Sequence, residues 1–143
     1  ELDQEAITQA IQAISRSKYP VILAGQGAMI ARGGAELLHL AETLGCPVTT
    51  TLLGKGIFPE THDLSLGMLG MHGTAYANKA ICEADLILNI GSRFDDRIIG
   101  KPDKFGANAT IIHVDIDRAE MNKMIQPDIQ IIGDARAVMK AMR

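Results

Sequence analysis

Apolar residues in this chain come in short unbroken runs separated by longer stretches in which they recur every third or fourth position. Val21-Ile22-Leu23-Ala24, Asp85 to Ile90, Thr110-Ile111-Ile112-His113-Val114 and Ile129-Gln130-Ile131-Ile132 are apolar nearly throughout. Runs of this length and content read as strands buried on both faces of a parallel sheet. Pro47-Val48-Thr49-Thr50 reads as another strand, and Ser65-Leu66 as a short one.

The intervening segments carry helical spacing. From about Gln4 to Ser17, Ile7, Ile11 and Ile14 form one stripe, with Ala6, Ala10 and Ala13 beside it. Asp3 can cap this helix, Arg16 and Lys18 suit its last turn, and Pro20 ends it. A second helix is predicted from Gly33 to Leu44, stopped by Gly45 with Pro47 soon after. A third runs from Thr74, as cap, to about Glu83. Asp117 and Glu120 form a capping box for a short helix, and Asp134 caps the last one, with Val138, Met139 and Met142 inward. Strands alternating with helices imply a parallel sheet covered on both faces. The expected fold is therefore α/β, a three-layer doubly wound parallel sheet of about six strands.

Composition adds mainly exclusions. At 143 residues the chain suits one domain with a real core, and 47% hydrophobic with 22% charged residues is ordinary for a globular protein. A net charge of −3 offers no basic footprint for nucleic acid or an anionic membrane. Aromatics are only 3%, too few to stack single-stranded bases. No apolar run is long enough to cross a bilayer, and no signal peptide is visible. Cys46 and Cys82 lack metal or redox spacing and read as free thiols. The first residue is Glu1 and a helix begins almost at once, which reads as a piece of a longer chain.

Candidate chemistry gathers where strands end, because open parallel sheets bind ligands beyond the strands' carboxyl ends. Gly25-Gln26-Gly27-Ala28 follows the first strand, but Ile30 stands where a dinucleotide fingerprint wants its third glycine. Threonines end the second strand, where an ordinary NAD-binding domain carries an acidic residue for the ribose. Gly67 to Thr74 has glycine at every third position, with Met68, Leu69, Met71 and His72 between; it is either a contact loop or a buried loop holding a satisfied histidine. Gly91-Ser92-Arg93-Phe94-Asp95-Asp96-Arg97 packs two arginines and two carboxylates behind a strand, as a ligand site or a salt-bridged loop. As a ligand site, Arg93 suits a pyrophosphate through paired hydrogen bonds. Asp115 at a strand's end suits a ribose hydroxyl or an adenine edge. A two-carboxylate hydrolase on Asp95 and Asp96 is disfavoured, since neighbours in an extended chain point to opposite sides. No P-loop, zinc-protease or nucleophile-elbow motif is present.

Three of these stretches, Gly67-Met68-Leu69-Gly70-Met71-His72-Gly73-Thr74, Gly91 to Arg97 following Ala84 to Leu88, and His113-Val114-Asp115-Ile116-Asp117, resemble the central domain of the acetolactate synthase (acetohydroxyacid synthase) catalytic subunit, a thiamine-diphosphate enzyme. The resemblance covers essentially residues 1–143. It implies a Rossmann-like (DHS-like NAD/FAD-binding) domain that holds FAD in extended form. Implied FAD contacts are Gly25, Gln26, Gly27, Thr51, Leu52, Leu69, Gly70, Met71, His72, Gly91, Arg93, Asp95, Asp115, Ile116 and Asp134. Many family members have glycine where this chain has Gln26. Arg97 resembles the arginine facing the substrate channel, with Asp96 and Met71 beside it. No catalytic residue and no metal ligand is implied here: thiamine diphosphate and Mg2+ belong to the other two domains. The implied activity of the full enzyme is carboligation of two pyruvates, or of pyruvate and 2-ketobutyrate, toward branched-chain amino acids. The fragment alone is expected to be inactive. Implied partners are the other domains, a homodimer or homotetramer of catalytic subunits, and a small regulatory subunit, in the cytoplasm or in a plastid. Two alternatives stay open, a stand-alone nucleotide-binding or regulatory module and a flavin-free relative of the same fold.

Overall fold

The computed structural model describes residues 2–51, 54, 56–59, 61–68, 75–92, 109–116 and 128–142, with the main chain alone at 68 and 75–78. The elements run α1 (Gln4–Arg16), β1 (Pro20–Ala24), α2 (Gln26–Ile30), α3 (Gly34–Leu44), β2 (Val48–Thr50), β3 (Ser65–Met68), α4 (Ala75–Glu83), β4 (Leu86–Ile90), β5 (Thr110–Asp115), β6 (Ile129–Ile132) and α5 (Ala135–Ala141). The helix expected after Asp117 lies outside the described residues. The six strands form one sheet in the order β3-β2-β1-β4-β5-β6, with every pairing parallel. That is the doubly wound order, with its switch point between β1 and β4.

Alternation along the strands sorts the core into two faces. Ile22, Ala24, Val48, Leu86, Leu88, Ile90, Ile112, Val114 and Ile131 point to one side, where they meet Ile7 and Ile14 of α1, Leu37 and Leu40 of α3, and Val138 and Met139 of α5. Val21, Leu23, Ile87 and Ile111 point to the other and meet Ile81 of α4 and Ala84. Two faces covered by helices make the three layers, and they account for the strands being apolar at nearly every position rather than at every second one. Each fully buried Leu or Ile contributes about 1.5–3 kcal/mol relative to leaving it in water.

Local signals set the ends of these elements. The Asp3 carboxylate accepts the Ala6 N–H at 3.1 Å and caps α1. Gly45 ends α3 at φ 62°, a left-handed conformation that places its N–H on the last helical carbonyls. Asp85 precedes β4 instead of opening it. Its carboxylate accepts the Ser17 hydroxyl and the Lys18 (2.8 Å) and Tyr19 (3.1 Å) N–H groups, tying the α1–β1 turn to the start of β4. Between α3 and α5, the largely buried Glu36 meets the Arg136 guanidinium at 3.2 Å.

Two features differ from the sequence reading. The glycine turn after β1 is a five-residue helix, α2, with Ala28 buried beneath it. The short strand at Ser65 extends to Met68 and is the sheet's edge beyond β2.

Candidate functional site at the carboxyl edge of the sheet

The sheet ladder does not stop where the strands end. The Thr51 N–H donates to the Ala24 carbonyl (3.1 Å), Gly25 N–H to Ile90 (2.9 Å), Gly91 N–H to Val114 (2.9 Å) and Gly133 N–H to Asp115 (3.0 Å). One further main-chain bond therefore ties each of the exits of β2, β1, β4, β5 and β6 to its neighbour, so the loops leave from a continuous floor.

Glycine makes that floor tight at the switch point. A Cβ on Gly25 would stand 2.7 Å from the Gly91 carbonyl oxygen and from Ser92 Cα. One on Gly54 would stand 2.6 Å from the Ala24 oxygen. Gly91 is doubly constrained: its φ is 75°, and a Cβ would meet Ala28 N at 2.6 Å and Gly27 Cα at 2.7 Å. The Gly27 N–H donates back to the Gly91 oxygen at 3.1 Å. Two strand exits can approach this closely only without side chains, and the surface above them is main chain.

Around the floor the expected side chains divide. Gln26 is exposed at the start of α2 and Gly27 half-buried beside it. The buried Thr51 hydroxyl accepts the Gly54 N–H at 3.2 Å, closing the turn after β2. Asp115 is half-buried at the end of β5, with Oδ2 3.7 Å from His113 Nε2. Ile116 beside it is 73% exposed, an uncovered apolar side chain at the sheet's carboxyl edge. The Asp134 carboxylate accepts the Ala137 N–H at 3.0 Å and caps α5, so it has a structural role whatever else it touches. Gly25, Gln26, Gly27, Thr51, Gly91, Asp115, Ile116 and Asp134 thus all belong to strand exits on one edge. Leu52, Leu69, Gly70, Met71, His72, Arg93, Asp95, Asp96 and Arg97 lie outside the described residues.

The periodicity gave no warning of one polar cluster. Asn89, Ser92 and His113 are buried among apolar strands at the same edge. The Asn89 amide donates to the Ser92 carbonyl (2.9 Å) and accepts the Ser92 N–H (3.1 Å), and His113 Nε2 lies 3.0 Å from that carbonyl. A carbonyl only accepts, so the Nε2 atom carries the proton. The available signal was an Asn and a His interrupting runs of Ile and Leu. Among the described residues no group of three or more His, Cys, Asp or Glu could hold a metal ion, and no helix is long and apolar enough to cross a membrane.

Residues 7–142 match the family model described as thiamine pyrophosphate enzyme, central domain. The chain belongs to this family. Relatives of this central domain include the probable acetolactate synthase large subunit of Methanocaldococcus jannaschii, 52% identical over 134 residues that make up 94% of this chain and 23% of the relative. The acetolactate synthase of Arthrospira platensis is 50% identical over 139 residues, 95% of this chain and 24% of its own length. The acetolactate synthase large subunit of Corynebacterium glutamicum is 49% identical over 133 residues, 93% and 21%. The chain thus spans under a quarter of the length of these curated relatives.

Proposed function

We propose that this chain is the FAD-binding central domain of an acetolactate synthase catalytic subunit. The observation that carries the reading is identity of about half across nearly the whole chain to relatives of that name. The glycine-floored carboxyl edge fits the same reading. An extended dinucleotide needs close main-chain approach at a switch point, with polar groups at the neighbouring strand ends. Gly25, Gly27 and Gly91 offer the first, and Thr51 and Asp115 stand at the second.

In this reading Asp115 and Ile116 would hold the adenosine half of FAD, Arg93 would pair with its pyrophosphate, and Asp95 would be a further contact. Gln26, Leu52, Leu69, Gly70, His72 and Asp134 complete the contacts. Arg97, with Asp96 and Met71, would line the substrate channel and meet the acceptor keto acid's carboxylate. FAD here undergoes no net redox change. Thiamine diphosphate with Mg2+, held by the other two domains, supplies the decarboxylation and carboligation chemistry. The catalytic subunit works as a homodimer or homotetramer with a small regulatory subunit, in the cytoplasm or a plastid.

The test uses the full-length protein. Its absorbance after purification should show bound flavin, and with thiamine diphosphate and Mg2+ it should convert pyruvate to acetolactate. A colourless protein that still makes acetolactate would remove FAD from the reading. A protein that binds nucleotide yet forms no acetolactate would remove the enzyme.

A further inference from the structure

Registered across the α4 face of the sheet, Leu23, Asn89, His113 and Gln130 lie side by side on β1, β4, β5 and β6, and Thr49 lies beside Leu23 on β2. One step toward the amino ends, the same face carries Val21, Ile87 and Ile111. This face thus changes from apolar to polar as it nears the ligand edge. Burying an amide and an imidazole there is costly unless both are hydrogen-bonded. Both are, and to the main chain of the same residue. Asn89 holds the N–H and the carbonyl of Ser92, and His113 adds a second donor to that carbonyl. Ser92 immediately follows Gly91, whose left-handed backbone turns the chain out of β4 against Gly25 and Gly27. A main chain turning at a glycine has little stiffness of its own. Here main-chain bonds to Val114 and Gly27 tie Gly91 itself, and two side chains on adjacent strands hold the Ser92 that follows it.

We infer that Asn89 and His113 are positioning residues for the dinucleotide. They fix the Gly91–Ser92 main chain in the orientation the pyrophosphate needs, without touching the cofactor. The inference rests on the flavin reading above. Each residue acts through Ser92, so their loss should appear in cofactor affinity beyond what lost stability explains. In Asn89→Ala both Ser92 main-chain groups lose a buried partner, and in His113→Leu the carbonyl loses one donor. His113→Gln keeps a terminal N–H at about the reach of Nε2.

The experiment measures the dissociation constant for FAD, by quenching of flavin fluorescence, and the melting temperature of the flavin-free form. It uses the full-length wild type, Asn89→Ala, His113→Leu, His113→Gln and Ile87→Val, the last a conservative change on the same face that does not touch Ser92. Asn89→Ala and His113→Leu should weaken FAD binding about ten-fold or more, as expected for losing a buried hydrogen bond. Ile87→Val should lower the melting temperature yet leave affinity within about two-fold, as an independent site does. His113→Gln should recover most of the affinity lost in His113→Leu. The inference is overturned if affinity follows melting temperature alone, Ile87→Val included, or if His113→Gln binds no better than His113→Leu. Should Asn89→Ala fail to fold, the His113 pair decides. A wild-type protein that takes up no FAD overturns the flavin reading and the inference with it. Wild-type binding with unaltered variants overturns the inference alone.

Discussion

Replacing Gly91 by alanine separates two physical costs, because Gly45 serves as its internal control. Both glycines have positive φ, 75° and 62°. For a residue with a Cβ, the left-handed region costs roughly 1–2 kcal/mol. Around Gly45 a new Cβ would meet nothing within 4 Å, so Gly45→Ala incurs that conformational cost and little else. At Gly91 the new carbon would stand 2.6 Å from Ala28 N and 2.7 Å from Gly27 Cα. Those neighbours are main chain and cannot rotate away, so α2 would have to move off the exit of β4. Overpacking of this kind adds about 1–3 kcal/mol. Gly91→Ala should therefore destabilise by about 2–5 kcal/mol and Gly45→Ala by about 1–2 kcal/mol. Urea unfolding of both variants, compared at unchanged denaturant slope, reads the difference. If Gly91→Ala proves no more destabilising than Gly45→Ala within about 0.5 kcal/mol, the contact between the two strand exits is not as close as described.

Further outcomes are expected elsewhere in the chain. Cys46 is buried and its thiol is pushed up to about 12 by desolvation, whereas Cys82 is exposed. An aromatic disulfide reagent near pH 8 should therefore titrate Cys82 in the native protein and both thiols only in denaturant; rapid native reaction of both would contradict the burial. At Asp85 burial pushes the carboxyl's pKa up, but the Ser17 hydroxyl and the Lys18 and Tyr19 N–H groups outweigh it and hold the pKa below the ordinary value. A folded value below the unfolded one gives stability present above the unfolded pKa and lost as pH falls through the folded one. Acid unfolding below about pH 4 should accordingly be less steep in Asp85→Asn than in wild type, and parallel curves would refute this. Leu88→Ala, in the centre of β4, should lower stability by about 2–5 kcal/mol in calorimetry; a loss under about 1 kcal/mol would mean the core collapses around it. Arg93→Ala should weaken FAD binding by about 1.5–3 kcal/mol, as for a lost charged hydrogen bond, and unchanged affinity would remove that arginine from the pyrophosphate. Arg97→Ala should impair acceptor use more than flavin retention, and the reverse pattern would reassign it.

The fold was legible wherever burial on both faces left a continuous apolar run. β1, β4 and β5 are such runs, the half-buried edge strand β6 is nearly as apolar, and alternation with helices was enough to imply parallel pairing. The edge strand β3 was read short because Gly67 interrupts it and its pattern is weak. α2 was missed for a different reason. With glycine at position 25 and again at 27, its intrinsic helix propensity is poor, and the sequence reads as a turn. What holds α2 is tertiary, namely Ala28 buried against the sheet and the Gly27 N–H on the Gly91 carbonyl. Single-sequence periodicity does not contain that contact. The edge residues of the site were legible because topology places every parallel strand's carboxyl end on one side. The Asn89–Ser92–His113 cluster was not, since periodicity registers which face a residue takes and not which polar groups find one another there.

A floor of main-chain atoms has a consequence for how this domain drifts under mutation. Peptide N–H and carbonyl groups are the same for nearly every amino acid, so most codon changes along the strand exits leave that surface chemically intact. Vulnerability is concentrated at Gly25, Gly27, Gly54 and Gly91, where any added carbon would fall within 3.0 Å of a neighbouring backbone atom. Random mutagenesis should find the floor tolerant almost everywhere and brittle at those glycines. Selection for altered ligand preference should then be answered in the loops above the floor, where side chains can change without moving it.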